Sequence, residues 1–116
     1  MERDPRAYLW DIQQAAIGIQ DFIADRDFAA YDASRLVRAA VERQFEIIGE
    51  ALSQLLKRAP ELAARLPDYR RAIAFRNLLI YGYHPIDHAE VWDIIQTALP
   101  DLQVGVTALL DELGRP

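Results

Sequence analysis

The chain has 116 residues, a net charge of −5 and an apolar fraction of 52%, a composition that excludes disorder and fits one domain over residues 1–116. There is no cysteine, which excludes disulfides and thiolate metal sites. No apolar run reaches the roughly 18 residues of a membrane span, and the N-terminus MERDPRAYLW has no apolar signal core, so the expectation is a cytoplasmic protein without a membrane partner.

An acidic chain is a poor generic binder of nucleic acid. Twelve of the thirteen basic residues are arginine, Lys57 being the exception. Arginine suits fixed, bidentate contacts to carboxylate or phosphate, although GC-rich coding produces the same bias.

The first helix is predicted over Pro5 to Ala24, with Asp4 as its N-cap and Pro5 at its first position. Tyr8, Ile12, Ala15, Ala16, Ile19, Phe22 and Ile23 recur at helical spacing and predict a core stripe. Trp10 and Ile17 lie on another side, either as a contacted second face or as residues partly covered by a loop. A charged connection, Asp25 to Asp32, leads to a second helix capped by Asp32 or Ser34 and running to Lys57 or Arg58.

The apolar positions of that second helix, from Leu36 and Val37 to Leu55 and Leu56, cover about half its circumference, wider than a stripe facing one core. The helix is either central to the bundle or shared with a partner chain. Gln44 falls inside the arc and reads as a core amide needing a partner.

Pro60 and Pro67 bracket a short helical turn. Asp68 is expected to cap a fourth helix, and Asp87 the next. The final apolar register, Val91 to Leu113, passes through Pro100 unbroken, which predicts a long helix kinked or briefly broken near Pro100. The expected fold is all-α, an up-and-down bundle of about five helices.

The stretch Ala72 to Asp87, AIAFRNLLIYGYHPID, concentrates the chemistry. Arg76 falls among the apolar positions of the fourth helix, where a guanidinium must be paired or must line a cleft. Glu42, Glu46 and Glu50 on the second helix are candidate partners. Asn77 and Tyr81 share a different face. Gly82 suits a left-handed C-cap, and Pro85 disfavours a helical conformation at His84. Read from the residues alone, this can equally be a buried ion pair with aromatic cover.

The run Arg76-Asn77-Leu78-Leu79-Ile80-Tyr81-Gly82-Tyr83, followed by Asp87 and Val91-Trp92, resembles the HepT-like toxins of the HEPN superfamily. Glu42 to Leu52, ERQFEIIGEAL, is similar to their second helix. The resemblance implies a homodimeric helical bundle and a metal-independent, cofactor-free endoribonuclease acting on RNA. It also implies a type VII-like toxin–antitoxin pair with a minimal nucleotidyltransferase antitoxin.

By that resemblance the catalytic candidates are Arg76, to stabilise a charged phosphorane, and Asn77 beside it, with Tyr81 or His84 near the base position. Tyr83 matches the position that receives AMP from the antitoxin. The family motif places a histidine where this chain has Tyr81, and tyrosine, titrating at about 10, is a poor base at neutral pH. His84 lies one residue beyond the motif's longest spacer. The alternative is a non-catalytic dimeric module that engages the nucleotidyltransferase or RNA.

Overall fold

The computed structural model describes residues 3–82 and 85–116. They form seven helices: α1 Pro5–Ile23, α2 Phe28–Ala33, α3 Arg35–Arg58, α4 Pro60–Ala63, α5 Tyr69–Tyr81, α6 His88–Gln96 and α7 Ala98–Leu113. No strand occurs among the described residues, and the all-α expectation holds. The count exceeds five because the charged connection contains α2 and because the last helix divides.

Local chemistry sets most of the boundaries. The Asp4 carboxylate accepts from the Arg6 amide, with Pro5 opening α1. Ser34 Oγ accepts from the Val37 amide and starts α3. Asp87 accepts from the amides of Ala89 and Glu90 and starts α6. Each bond satisfies a donor that a helix start leaves unpaired. Asp27, not anticipated, caps α2 through the Ala30 amide.

Two expected caps differ. Asp68 occupies the N-cap position of α5 but adopts a left-handed conformation, φ 53°, and its side chain makes no capping bond. Gly82 is extended, φ −71° and ψ 138°, not left-handed, and its amide closes the helix on the Leu78 carbonyl. Glycine is needed there for space: a Cβ would lie 2.5 Å from that carbonyl oxygen. The last helix breaks at Thr97, between α6 and α7, so Pro100 falls in the first turn of α7. Proline is tolerated there because that turn's amides need no intrahelical acceptor.

The core is assembled around α3. Its neighbours are α1, α2, α4 and α5, while α7 packs on α1 and α6. Leu9, Ile12 and Ile19 of α1, Ile48, Leu52 and Leu55 of α3, and Leu99 and Leu110 of α7 are essentially inaccessible. The wide apolar arc of α3 is therefore filled within one chain. Its edges spill outward, since Leu36 is 81% exposed. Phe22, expected in the core, is exposed.

Gln44 is half-buried beside Gly18; the buried amide is Gln13, which donates to Thr107 Oγ1 and accepts from Arg115. Trp10 and Ile17 are exposed, and the Arg115 guanidinium lies over the Trp10 ring.

At one end, α2 and α6 close over α3. Tyr31 packs on Trp92 with ring centroids 5.3 Å apart, and His88 Nδ1 lies 2.9 Å from Asp32 Oδ1. Burial pushes the Tyr31 phenol up to about 12, helped by the Glu42 carboxylate. Burial also raises Glu42, against the opposing charges of His88 and Arg38.

Candidate functional site

Helix α5 differs from its neighbours: it has no buried residue and packs chiefly along α3. Two contacts fix it there. Phe75 meets Phe45 edge-on, with centroids 5.3 Å apart. One turn further along α3, Gly49 lets the two backbones approach. A methyl group on Gly49 would sit 2.1 Å from Arg76 Cβ, 2.7 Å from its Cγ and 3.2 Å from the Ala72 carbonyl oxygen. No other residue type fits without levering α5 away.

This close approach brings the Arg76 guanidinium over α3. Its Nη2 donates to Glu50 Oε2 at 2.6 Å, and its Nη1 donates to Asn77 Oδ1 at 2.7 Å. Its Nε is buried with no partner among the described residues. Glu50 Oε1 in turn accepts from Gln54 Nε2 at 3.1 Å. The Arg76 side chain is 20% exposed and that of Glu50 is 49% exposed. Arg76 is thus both paired and placed at a cleft.

That cleft, of about 400 Å³, runs between α1, α3 and α5. Besides Arg76 and Glu50 it is lined by two further arginine–carboxylate pairs, Arg3–Asp11 at 2.8 Å and Arg43–Glu46 at 3.1 Å. Among the described residues the groove holds three arginines, each met by a carboxylate. A phosphate entering it would exchange with carboxylates for the same guanidinium groups.

Of the sequence candidates, the structure brings Arg76 and Asn77 together. It leaves Tyr81 at the end of α5, 68% exposed. Tyr83 and His84 lie outside the described residues. Sequence reasoning missed Gly49 and Gln54, and left Glu50 as one of three acids. A lone glycine inside the apolar arc of α3 was the available signal for a close backbone approach.

Comparison with known proteins gives a consistent result. The family model "Ribonuclease HepT-like" matches residues 12–109. A Methanocaldococcus jannaschii protein whose name assigns it, provisionally, to the RNases is 31% identical over 102 residues, covering 88% of this chain and 93% of the relative. A second protein of that organism, with the same provisional assignment, is 27% identical over 112 residues, covering 97% and 96%. A Thermococcus cleftensis protein named as a probable ribonuclease HepT is 29% identical over 103 residues, covering 89% and 93%. No solved structure gives a significant match. The chain belongs to the HepT-like ribonuclease family.

Proposed function

We propose that this protein is a HepT-like toxin, an endoribonuclease that cleaves RNA without a metal, with Arg76 as the phosphate-binding cation. The observation that carries the reading is the placement of Arg76, anchored by Gly49, Glu50 and Asn77 at the edge of an arginine-lined groove. A fixed guanidinium stabilises charge that develops on phosphorus, and losing one such preorganised donor costs about 10²- to 10³-fold in rate. Asn77 holds the guanidinium plane through its Oδ1.

The active form in this reading is a homodimer. Its motive is α5, which leaves Leu78 and Ile80 exposed at 46% and 42% while no residue of the helix is buried. A two-fold contact through α5 would cover those side chains and present two copies of Arg76 to one strand. The partner is a minimal nucleotidyltransferase, and Tyr83 is its target: the phenol gives up its proton, its oxygen attacks the α-phosphorus of ATP, pyrophosphate leaves, and the added phosphodiester carries negative charge seven residues beyond Arg76 in the chain.

The observation favouring the second reading, a binding module without turnover, is Tyr81 standing at the histidine position. RNA cleavage by purified protein decides between them. Cleavage that falls at least 100-fold in Arg76→Ala supports the nuclease. RNA or nucleotidyltransferase binding with no cleavage supports the module. Light scattering at micromolar concentration checks the dimer, and a monomer there refutes it.

A further inference from the structure

We propose that Glu50 is the general base of this site, taking the role that the family motif gives to the histidine replaced here by Tyr81. The inference rests on the ribonuclease reading of Arg76. Among the described residues, Glu50 is the side chain in contact with Arg76 that can accept a proton; the other, Asn77, is an amide. A base must lie within hydrogen-bond reach of the proton it removes. The 2′-hydroxyl and the phosphate it attacks belong to the same nucleotide, so a base for the hydroxyl must stand beside the cation that holds the phosphate. Glu50 stands there, 2.6 Å from Arg76 Nη2.

The carboxylate is also oriented. Arg76 holds Oε2 and Gln54 holds Oε1, and each oxygen keeps a further lone pair. At 49% exposure the group is open to the groove. With α5 docked, the Arg76 stem lies close against Gly49 and its guanidinium stays beside Glu50, so an arriving phosphate shares the guanidinium with Glu50 in place.

That sharing promotes proton transfer. A bound phosphodiester draws on the same positive charge and sets a second anion beside the carboxylate, which favours its protonated form. Glu50 thus becomes a better proton acceptor when substrate is bound.

The step balances as follows. The 2′-hydroxyl proton passes to Glu50, the 2′-oxygen bonds to phosphorus, and the bond from phosphorus to the 5′-oxygen breaks. That oxygen takes a proton from water, and the hydroxide so formed takes the proton from Glu50, which returns to its carboxylate. The products are a 2′,3′-cyclic phosphate and a 5′-hydroxyl end.

The test uses the full-length protein, a fluorescent oligoribonucleotide for cleavage and its 2′-O-methyl analogue for binding. Glu50→Gln is expected to bind the analogue as tightly as the parent or tighter, to lose cleavage by about 10²-fold or more, and to lose the acid-side limb of the pH profile of kcat/KM. Glu50→Asp is expected to keep that limb at a lower rate. Glu50→Gln cleaving like the parent, with cleavage still dependent on Arg76, overturns the assignment and leaves the nuclease reading intact. Equal loss of binding and cleavage in Glu50→Gln also overturns it, because Glu50 then only positions Arg76. A parent protein that binds RNA and does not cleave it overturns both.

Discussion

The α1–α3–α7 core and helix α5 are built on different principles. In the core, side chains such as Ile12, Leu52 and Leu110 are fully removed from water, and each contributes by burial and close packing. In α5 no residue is fully buried; the helix lays half-buried side chains, among them Ala72, Phe75 and Leu79, against the core and is fixed along α3 by a ring contact, a glycine crossing and the Arg76–Glu50 pair. The core supplies stability and tolerates little change in volume. The peripheral helix keeps an open face and carries the arginine. Position, not burial, is what the sequence of α5 specifies, and that separates changes in activity from changes in stability.

The largest expected effect tests this separation at Tyr81. In a protein whose own base is removed by Glu50→Gln, Tyr81→His places a base on α5 and is expected to raise RNA cleavage by up to about 10²- to 10⁴-fold. The melting temperature should stay unchanged, because Tyr81 is 68% exposed. In that variant His84→Ala should matter little. Tyr81→His in that background with altered melting and unaltered cleavage would break the comparison.

Next in size is a pair of truncations. Leu52→Ala, in the core, should cost about 2–5 kcal/mol in urea unfolding. Leu78→Ala, on α5, should fall within about 0.5 kcal/mol for the monomer, and any larger loss should depend on protein concentration, as a dimer contact requires. Equal, concentration-independent losses would place both helices in one core.

Gly49→Ala sits at the seam between the two regions. The added methyl overlaps Arg76, and overpacking of this kind costs about 1–3 kcal/mol. Cleavage should suffer more than stability, because the displaced group is the guanidinium. Retained cleavage with lowered stability would show that the crossing does not set the site.

The smallest effect belongs to the far end of the core. Burial raises the Glu42 pKa in the folded state, so its charged form is the disfavoured one. Its protonated form contributes stability below the ordinary glutamate range, and that contribution is lost as pH rises through the folded value. Glu42→Gln should therefore melt higher than the parent at pH 7, by a degree or so, with the difference vanishing as pH falls below the usual glutamate pKa of about 4.3. A constant difference across pH would assign the effect to shape alone.

What could be read from the chain follows from how local each feature is. Asp4, Ser34 and Asp87 cap helices with bonds spanning two or three residues, so neighbouring residues suffice to infer them. Asp68 and Gly82 hold the cap positions of α5 in conformations other than those expected, which the neighbouring residues alone do not specify. Glu42, Glu46 and Glu50 recur every four residues on one helix, so spacing cannot choose among them. The crossing at Gly49 chooses Glu50. The wide arc of α3 was legible, but its cause lies in α1 and α5 flanking the same helix, which periodicity cannot distinguish from a partner chain. Arg76 was legible as a cation out of place because charge among apolar positions is rare.

The attachment of α5 chiefly to one neighbour also shapes the molecule's spectrum of fluctuations. A helix held by many neighbours exchanges its amide hydrogens only when the whole domain opens; one held along a single seam can detach and re-dock while the remainder stays folded. Isotope labelling should therefore reach the amides of residues 69–81 through a low-energy excursion, well before those of residues 41–55. Each excursion withdraws Arg76 from Glu50, so catalytic competence fluctuates with a local equilibrium. A partner or modification that held α5 in either position would set the fraction of time the site exists.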